Sequence, residues 1–102
     1  MTVTWSPAAE TAYLRYLSHL VGLNPTAALR AEREISSAAA NLVDFPLAHR
    51  EARWEGLREQ VLHRWKKLIV YRVEAERILI VAFLDARQDL SAIDLDRDGW
   101  TA

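Results

Sequence analysis

Residues 67–85 read KLIVYRVEAERILIVAFLD. Two runs, 67–74 and 77–85, are rich in Ile, Val, Leu, Tyr and Phe, which pack well on a pleated surface. Between them "VEAER" is short and polar, so the segment predicts a tight antiparallel hairpin at the centre of a small sheet. Simple alternation puts Leu68, Val70, Ile78, Ile80 and Leu84 on one face. It puts Ile69, Tyr71, Val73, Leu79, Val81 and Phe83 on the other. Both sets are apolar, so both faces need cover. The hairpin ends in Asp85, Arg87 and Asp89. That end is a catalytic site, a docking surface or a solvated strand terminus.

Working outward, "TVTW" at 2–5 alternates like a short strand, and Ser6-Pro7 gives a helix cap followed by a first-turn proline. Ala9, Ala12, Tyr13, Tyr16, Leu17 and Leu20 recur at helical spacing, and Gly22 is a candidate stop. Asn24-Pro25 repeats the start signal, and Ala28, Ala31, Ile35, Ala38, Ala39 and Leu42 form a second stripe. The short link between the two helices predicts an antiparallel pair. Pro46 breaks the pattern, and residues 57–64 form a further strand. The expected architecture is therefore α+β: a short N-terminal strand and a helical hairpin packed on a small antiparallel sheet, in the order β-α-α-β-β-β. Residues 1–90 form the domain, and 91–102 form an irregular acidic tail. One helical hairpin covers one sheet face. Either the tail or another protein covers the second.

Composition narrows the partners. The chain has 102 residues, enough for one domain, and its 51% apolar and 26% charged residues exclude a disordered chain. A formal net charge of −1 leaves no global attraction for nucleic acid, so such a contact needs a local basic patch. The absence of cysteine excludes disulfides and thiolate metal sites, and fits a reducing cytosol. The opening MTVTWSPAAETAY lacks a basic-then-apolar leader, and no apolar run is long enough to span a bilayer. A cytoplasmic protein without membrane contact is expected. The four tryptophans belong to a core or an interface.

The order of these segments resembles the RelE/ParE superfamily of toxin-antitoxin toxins, and within it the ParE branch. WSPAAETAYLRYLSHL and NPTAALRAEREISSAAANL resemble the family's helices. FPLAHR resembles its Pro-x-x-Gly-Arg turn, with His49 where glycine is usual. GLREQVLHRWKKLIVYRVEAERILIVAFL is the most specific piece. DARQD resembles the His-Gly-Arg-Gln-Asp ending, with Asp85 and Ala86 in place of His and Gly. The similarity spans about residues 3–89. It implies a bacterial cytosolic toxin held inactive by a cognate antitoxin whose C-terminal segment wraps it by helix-in-groove and strand addition. Tyr13, Leu17, Leu79, Val81 and Phe83 are the expected antitoxin contacts.

The superfamily divides by activity. ParE-like members are associated with inhibition of DNA gyrase, and RelE-like members with cleavage of mRNA on the ribosome. Metal-independent RNA cleavage needs a base, an acid and cations for the phosphate. No His or Tyr follows Tyr71, Leu68 stands where such nucleases place arginine, and Asp85 would repel phosphate. A stoichiometric binder without cofactor is therefore expected, with DNA gyrase as the target that the resemblance implies and Arg64, Trp65, Lys66, Lys67 and Arg87 as target contacts. The nuclease alternative would use Arg58, Arg64, Lys67 and Arg87. A third reading is a non-toxic member that acts only as an antitoxin-bound scaffold. His63 and the rest of HRWKK also fit a solvated turn, and Arg72 within an apolar strand calls for Glu74 or Glu59 as partner. Asp94, Asp96, Asp98 and Gly99 mimic the start of a calcium loop, but the chain ends before its twelfth-position Glu. No metal is expected. Glu10, Glu32 and Glu34 fit ordinary helix-surface acids.

Overall fold

The computed structural model describes residues 1–95. Its elements are β1 (Thr2–Trp5), α1 (Pro7–Leu23), α2 (Pro25–Asn41), β2 (Arg58–Leu62), β3 (Lys67–Val73) and β4 (Arg77–Asp85). Single 3-10 turns follow at His63–Trp65 and Leu90–Ala92. The α+β architecture and the helical hairpin on a sheet are as expected. The strand expected over 57–64 is shorter, because the chain coils at His63.

The helix starts follow from local chemistry. The Ser6 hydroxyl accepts from the Ala9 N–H, and the Asn24 side chain accepts from the Ala27 N–H. Gly22 does not stop α1, which runs on to Leu23. Asn24 closes it instead, donating its N–H to the Leu20 carbonyl at 2.7 Å while capping α2 with its side chain. One extended residue thus joins the helices and forces them antiparallel. Ala28, Ala31, Ile35, Ala39 and Leu42 are buried as their stripe predicts.

The sheet order is β1-β4-β3-β2. β2, β3 and β4 are antiparallel, but β1 pairs parallel to β4, so the sheet is mixed. Everything from α1 to β3 serves as the crossover that a parallel pair requires.

The face assignment made by simple alternation fails. Tyr71 pairs with Ile80, but Val70 pairs with Ala82, so Val81 is an extra, bulged residue. Ile69, Tyr71, Ile78, Ile80 and Phe83 face the helices. Leu68, Val70, Leu79, Val81 and Ala82 face away. Val81 and Ala82 sit consecutively on one side, and Phe83 is thereby turned toward α1. Ser6, fully buried, secures this bulge: its hydroxyl donates to the Val81 carbonyl at 3.0 Å and its N–H to the Ile80 carbonyl at 2.8 Å.

The second face is covered by the chain itself. Trp54 and Leu57 are buried against it, and Ala52, Val61, Leu90, Ile93 and Leu95 pack around them. The Trp54 Nε1–H donates to the Ile93 carbonyl at 2.8 Å, fixing the segment after β4 across the sheet. The core therefore extends past residue 90. Of the two covers expected for this face, the chain itself is the one observed.

Candidate functional site

β3 and β4 bring the charged residues together. Lys67 pairs with Asp85 across the ladder, and the Ala86 N–H donates to the Lys66 carbonyl at 2.8 Å. The 63–66 turn and the end of β4 therefore lie side by side. Arg64, Trp65, Lys66, Lys67 and Arg87 are gathered at this one end of the sheet. Arg58 is not, because it lies at the far end of β2, about 13 Å up the strand from Leu62. Its guanidinium donates to the His49 carbonyl at 2.8 Å.

Among the described residues, each cation at this end except Lys66 has a fixed partner. Lys67 Nζ lies 3.8 Å from Asp85 and 4.5 Å from the centroid of the Tyr16 ring. Arg87 binds both Asp85 oxygens, at 3.1 and 3.0 Å. The Arg87 guanidinium and N–H, with Lys67 adding its charge, hold the Asp85 carboxyl down at about 2. Burial pushes the Tyr16 phenol up, with Arg87 opposing and Asp85 adding. Arg64 Nε and Trp65 Nε1 both donate to one oxygen of Glu34 at 3.1 Å, while Arg30 holds the other at 2.8 Å. Glu34 is thus more than a surface acid paired one turn away: it ties α2 to the β2–β3 turn. His63 is exposed.

The Asp85 cluster has a signed pH consequence. Its folded pKa is depressed, so its contribution is complete above the ordinary value of 3.8 and disappears as pH falls through about 2. Asp85→Asn should melt below the wild type near pH 6, and the gap should close between about pH 4 and about pH 2. Thermal melts across that range check it, and a gap independent of pH would refute the pairing.

Other assignments resolve locally. Arg72 is half-exposed rather than buried, and its Nε donates to Glu74 at 2.9 Å; Glu74 also holds Arg77. Glu59 is the buried acid, and it pairs with Arg50 at 2.9 Å. The Tyr71 hydroxyl donates to the Pro46 carbonyl at 2.8 Å, which anchors the FPLAHR loop. Neither His49 nor Ala86 has a positive φ, so these departures from glycine carry no backbone strain. Among the described residues no acid or His cluster is arranged to hold a metal; Asp96, Asp98, Gly99 and Trp100 lie outside them.

The apolar surface lies elsewhere. Leu79, Val81 and Phe83 are 3%, 1% and 5% exposed, so they offer no surface to a partner while the chain keeps this packing. Tyr13 and Leu17 do reach the outside. Tyr13 lines an open groove of about 470 Å³ with Val3, Trp5, Leu14 and Ala40, beside β1. Burial pushes its phenol up, with the Ser36 hydroxyl opposing. Leu17 lines a second groove with Val21, Pro25 and Leu29. Leu14, Val21 and Leu29 are each more than half exposed. Sequence reasoning missed Tyr16, whose helical spacing gave only a core signal, and missed the cross-chain role of Glu34.

No protein among the curated sequences matches the chain. Among solved structures it is similar to a chain of the "Chromosomal ParDE TA system from P. aeruginosa", with TM-score 0.75 and 27% identity over 85% of this chain and 97% of that one. Residues 3–90 match the family described as "ParE toxin of type II toxin-antitoxin system, parDE". That match takes in both helices, the sheet from Val3 onward and the charged strand end, and the chain belongs to the ParE toxin family of type II toxin-antitoxin systems.

Proposed function

We propose that this toxin acts by stoichiometric binding, that its target is DNA gyrase, and that its antitoxin docks on the outer face of the helical hairpin and the edge of β1. The gyrase target is what the ParE resemblance implies. The observation that carries the binding mode is the state of the cations. A nuclease would aim Arg64, Lys67 and Arg87 at phosphate, but Glu34 and Asp85 hold all three. Arg58 is remote, and Asp85 stays ionised at any physiological pH. The absence of cysteine supports a cytoplasmic setting, and no helix among the described residues is long and apolar enough to cross a membrane.

One observation favours ribosome-dependent mRNA cleavage. Tyr16 brings a phenol to the cluster from α1 and supplies a proton-transfer group that the C-terminal sequence lacks. The test runs both assays on purified chain. Loss of supercoiling by gyrase is expected, with ribosome-bound message intact. The converse result would establish the nuclease and overturn the binding reading.

For the antitoxin, β1 is an edge strand, whereas the edge at β2 is already met by residues 50–52. A strand added to β1 would lie beside the Tyr13 groove, and a helix would fit the Leu17–Leu29 groove. Leu29→Glu should weaken binding of the cognate antitoxin by about tenfold or more, since it buries an unpaired charge, and should leave the melting temperature unchanged. Unaltered affinity by calorimetry would move the antitoxin off this face.

A further inference from the structure

We propose that Lys66 is the residue by which this toxin grips its protein target, and that the group it meets is an acidic side chain of that target. The inference rests on the binding-toxin reading above.

Lys66 has φ 56° and ψ 41°, and it is the one non-glycine with positive φ among the described residues. Left-handed backbone costs an ordinary side chain energy that glycine, and largely asparagine, avoid. A turn that needed only solubility would be better served by either. The backbone of this lysine is also tied at both of its polar groups. Its N–H donates to the His63 carbonyl at 3.4 Å and its carbonyl accepts from the Ala86 N–H at 2.8 Å. Trp65 and Arg64, just before it, are bound to Glu34 on α2. Lys67, just after it, is held by Asp85 and stacked on Tyr16.

The exception is the Lys66 ammonium. Among the described residues it is the cation of this end without a carboxylate: Arg64 has Glu34, and Lys67 and Arg87 share Asp85. The side chain is exposed. The fold thus spends strain to present one unneutralised point charge on an immobile turn. Strain of this kind persists where surrounding contacts enforce it, and it gathers at working sites. Immobilisation lowers the ordering cost of binding.

The same accounting selects the partner. Nucleic acid is held by many cations acting on successive phosphates. Here the neighbouring cations are neutralised internally and the formal net charge is −1. A single free ammonium on a rigid tip fits a carboxylate on a protein surface.

The experiment expresses Lys66→Gly, Lys66→Asn and Lys66→Arg without antitoxin. It reads growth arrest in cells, then gyrase inhibition, antitoxin affinity and melting temperature on purified chains. Glycine and asparagine should keep or raise the melting temperature, leave antitoxin affinity unchanged, and weaken arrest and gyrase inhibition by about tenfold. Arginine should stay within about threefold of wild type. Glycine and asparagine variants that arrest growth like the wild type would overturn the proposal whatever the target. Wild-type arrest with unaffected gyrase would overturn only the gyrase assignment, because the variant series still decides on Lys66. A wild-type chain that arrests nothing would overturn both. Lys66-dependent retention of an RNA or DNA oligonucleotide in a mobility shift would replace the acidic protein group with phosphate.

Discussion

Trp54→Ala should lower the melting temperature of the chain by about 20 °C. Trp54 is 4% exposed and packs with Leu57, Leu68, Val70, Leu79 and Val81 on the sheet face that the helices do not reach. Truncating a buried tryptophan costs about 4 kcal/mol, counting lost transfer energy and the cavity left behind. At about 5 °C per kcal/mol for a domain of this size, that gives the shift. Since small domains hold only about 5–15 kcal/mol in total, the variant should be marginal. Trp54→Phe separates packing from anchoring. It keeps a ring in the core but removes the donor to the Ile93 carbonyl, so it should cost about 1–2 kcal/mol. Hydrogen exchange over residues 90–95 should accelerate in both variants. Unchanged protection there, with a shift below about 5 °C in Trp54→Ala, would mean that the chain does not close its own second face.

Ser6→Ala should produce the second large effect, about 2–3 kcal/mol or roughly 10–15 °C. A helix cap alone accounts for about 1 kcal/mol. Here the same hydroxyl also donates to the buried Val81 carbonyl at the bulge, and alanine would leave that carbonyl unsatisfied. Ser6→Thr retains the hydroxyl, but its added methyl must fit a site that is 1% exposed. The informative comparison is Asn24→Ala, which removes an exposed cap with no second role and should cost only about 1 kcal/mol. Equal losses in Ser6→Ala and Asn24→Ala would show that the bulge bond contributes nothing.

This difference between two caps that look alike in sequence marks the limit of local reading. Ser6-Pro7 and Asn24-Pro25 announce helix starts because capping depends on residues within one turn. The stripes from Ala9 to Leu20 and from Ala28 to Leu42 are legible for the same reason, since helical period is a property of the segment. The strands at 67–73 and 77–85 follow from composition and the short turn between them. The linear order of these segments also carried the resemblance to ParE toxins. Alternation, by contrast, counts residues and cannot see an extra one. The Val81 bulge exists only in the pairing of β4 with β3, and it turns Phe83 from the face that counting assigns to the opposite one. The burial of Leu79 and Val81 depends on Trp54 and Ile93 arriving from elsewhere in the chain.

The site divides along the same line. Charge at the end of β4 is plain in Asp85 and Arg87, but their net effect is not, because it depends on which carboxylate reaches which cation. Only packing brings Glu34 of α2 to Arg64, and Tyr16 of α1 over Lys67. By itself the sequence determined the elements, their order and the pool of charged residues, since those are properties of neighbours along the chain. The tertiary structure alone decided the parallel entry of β1, the bulge, the cover of the second face and the neutralisation of every cation at the sheet end except Lys66 among the described residues. Each of these is an energy between groups that the chain must first fold to bring together.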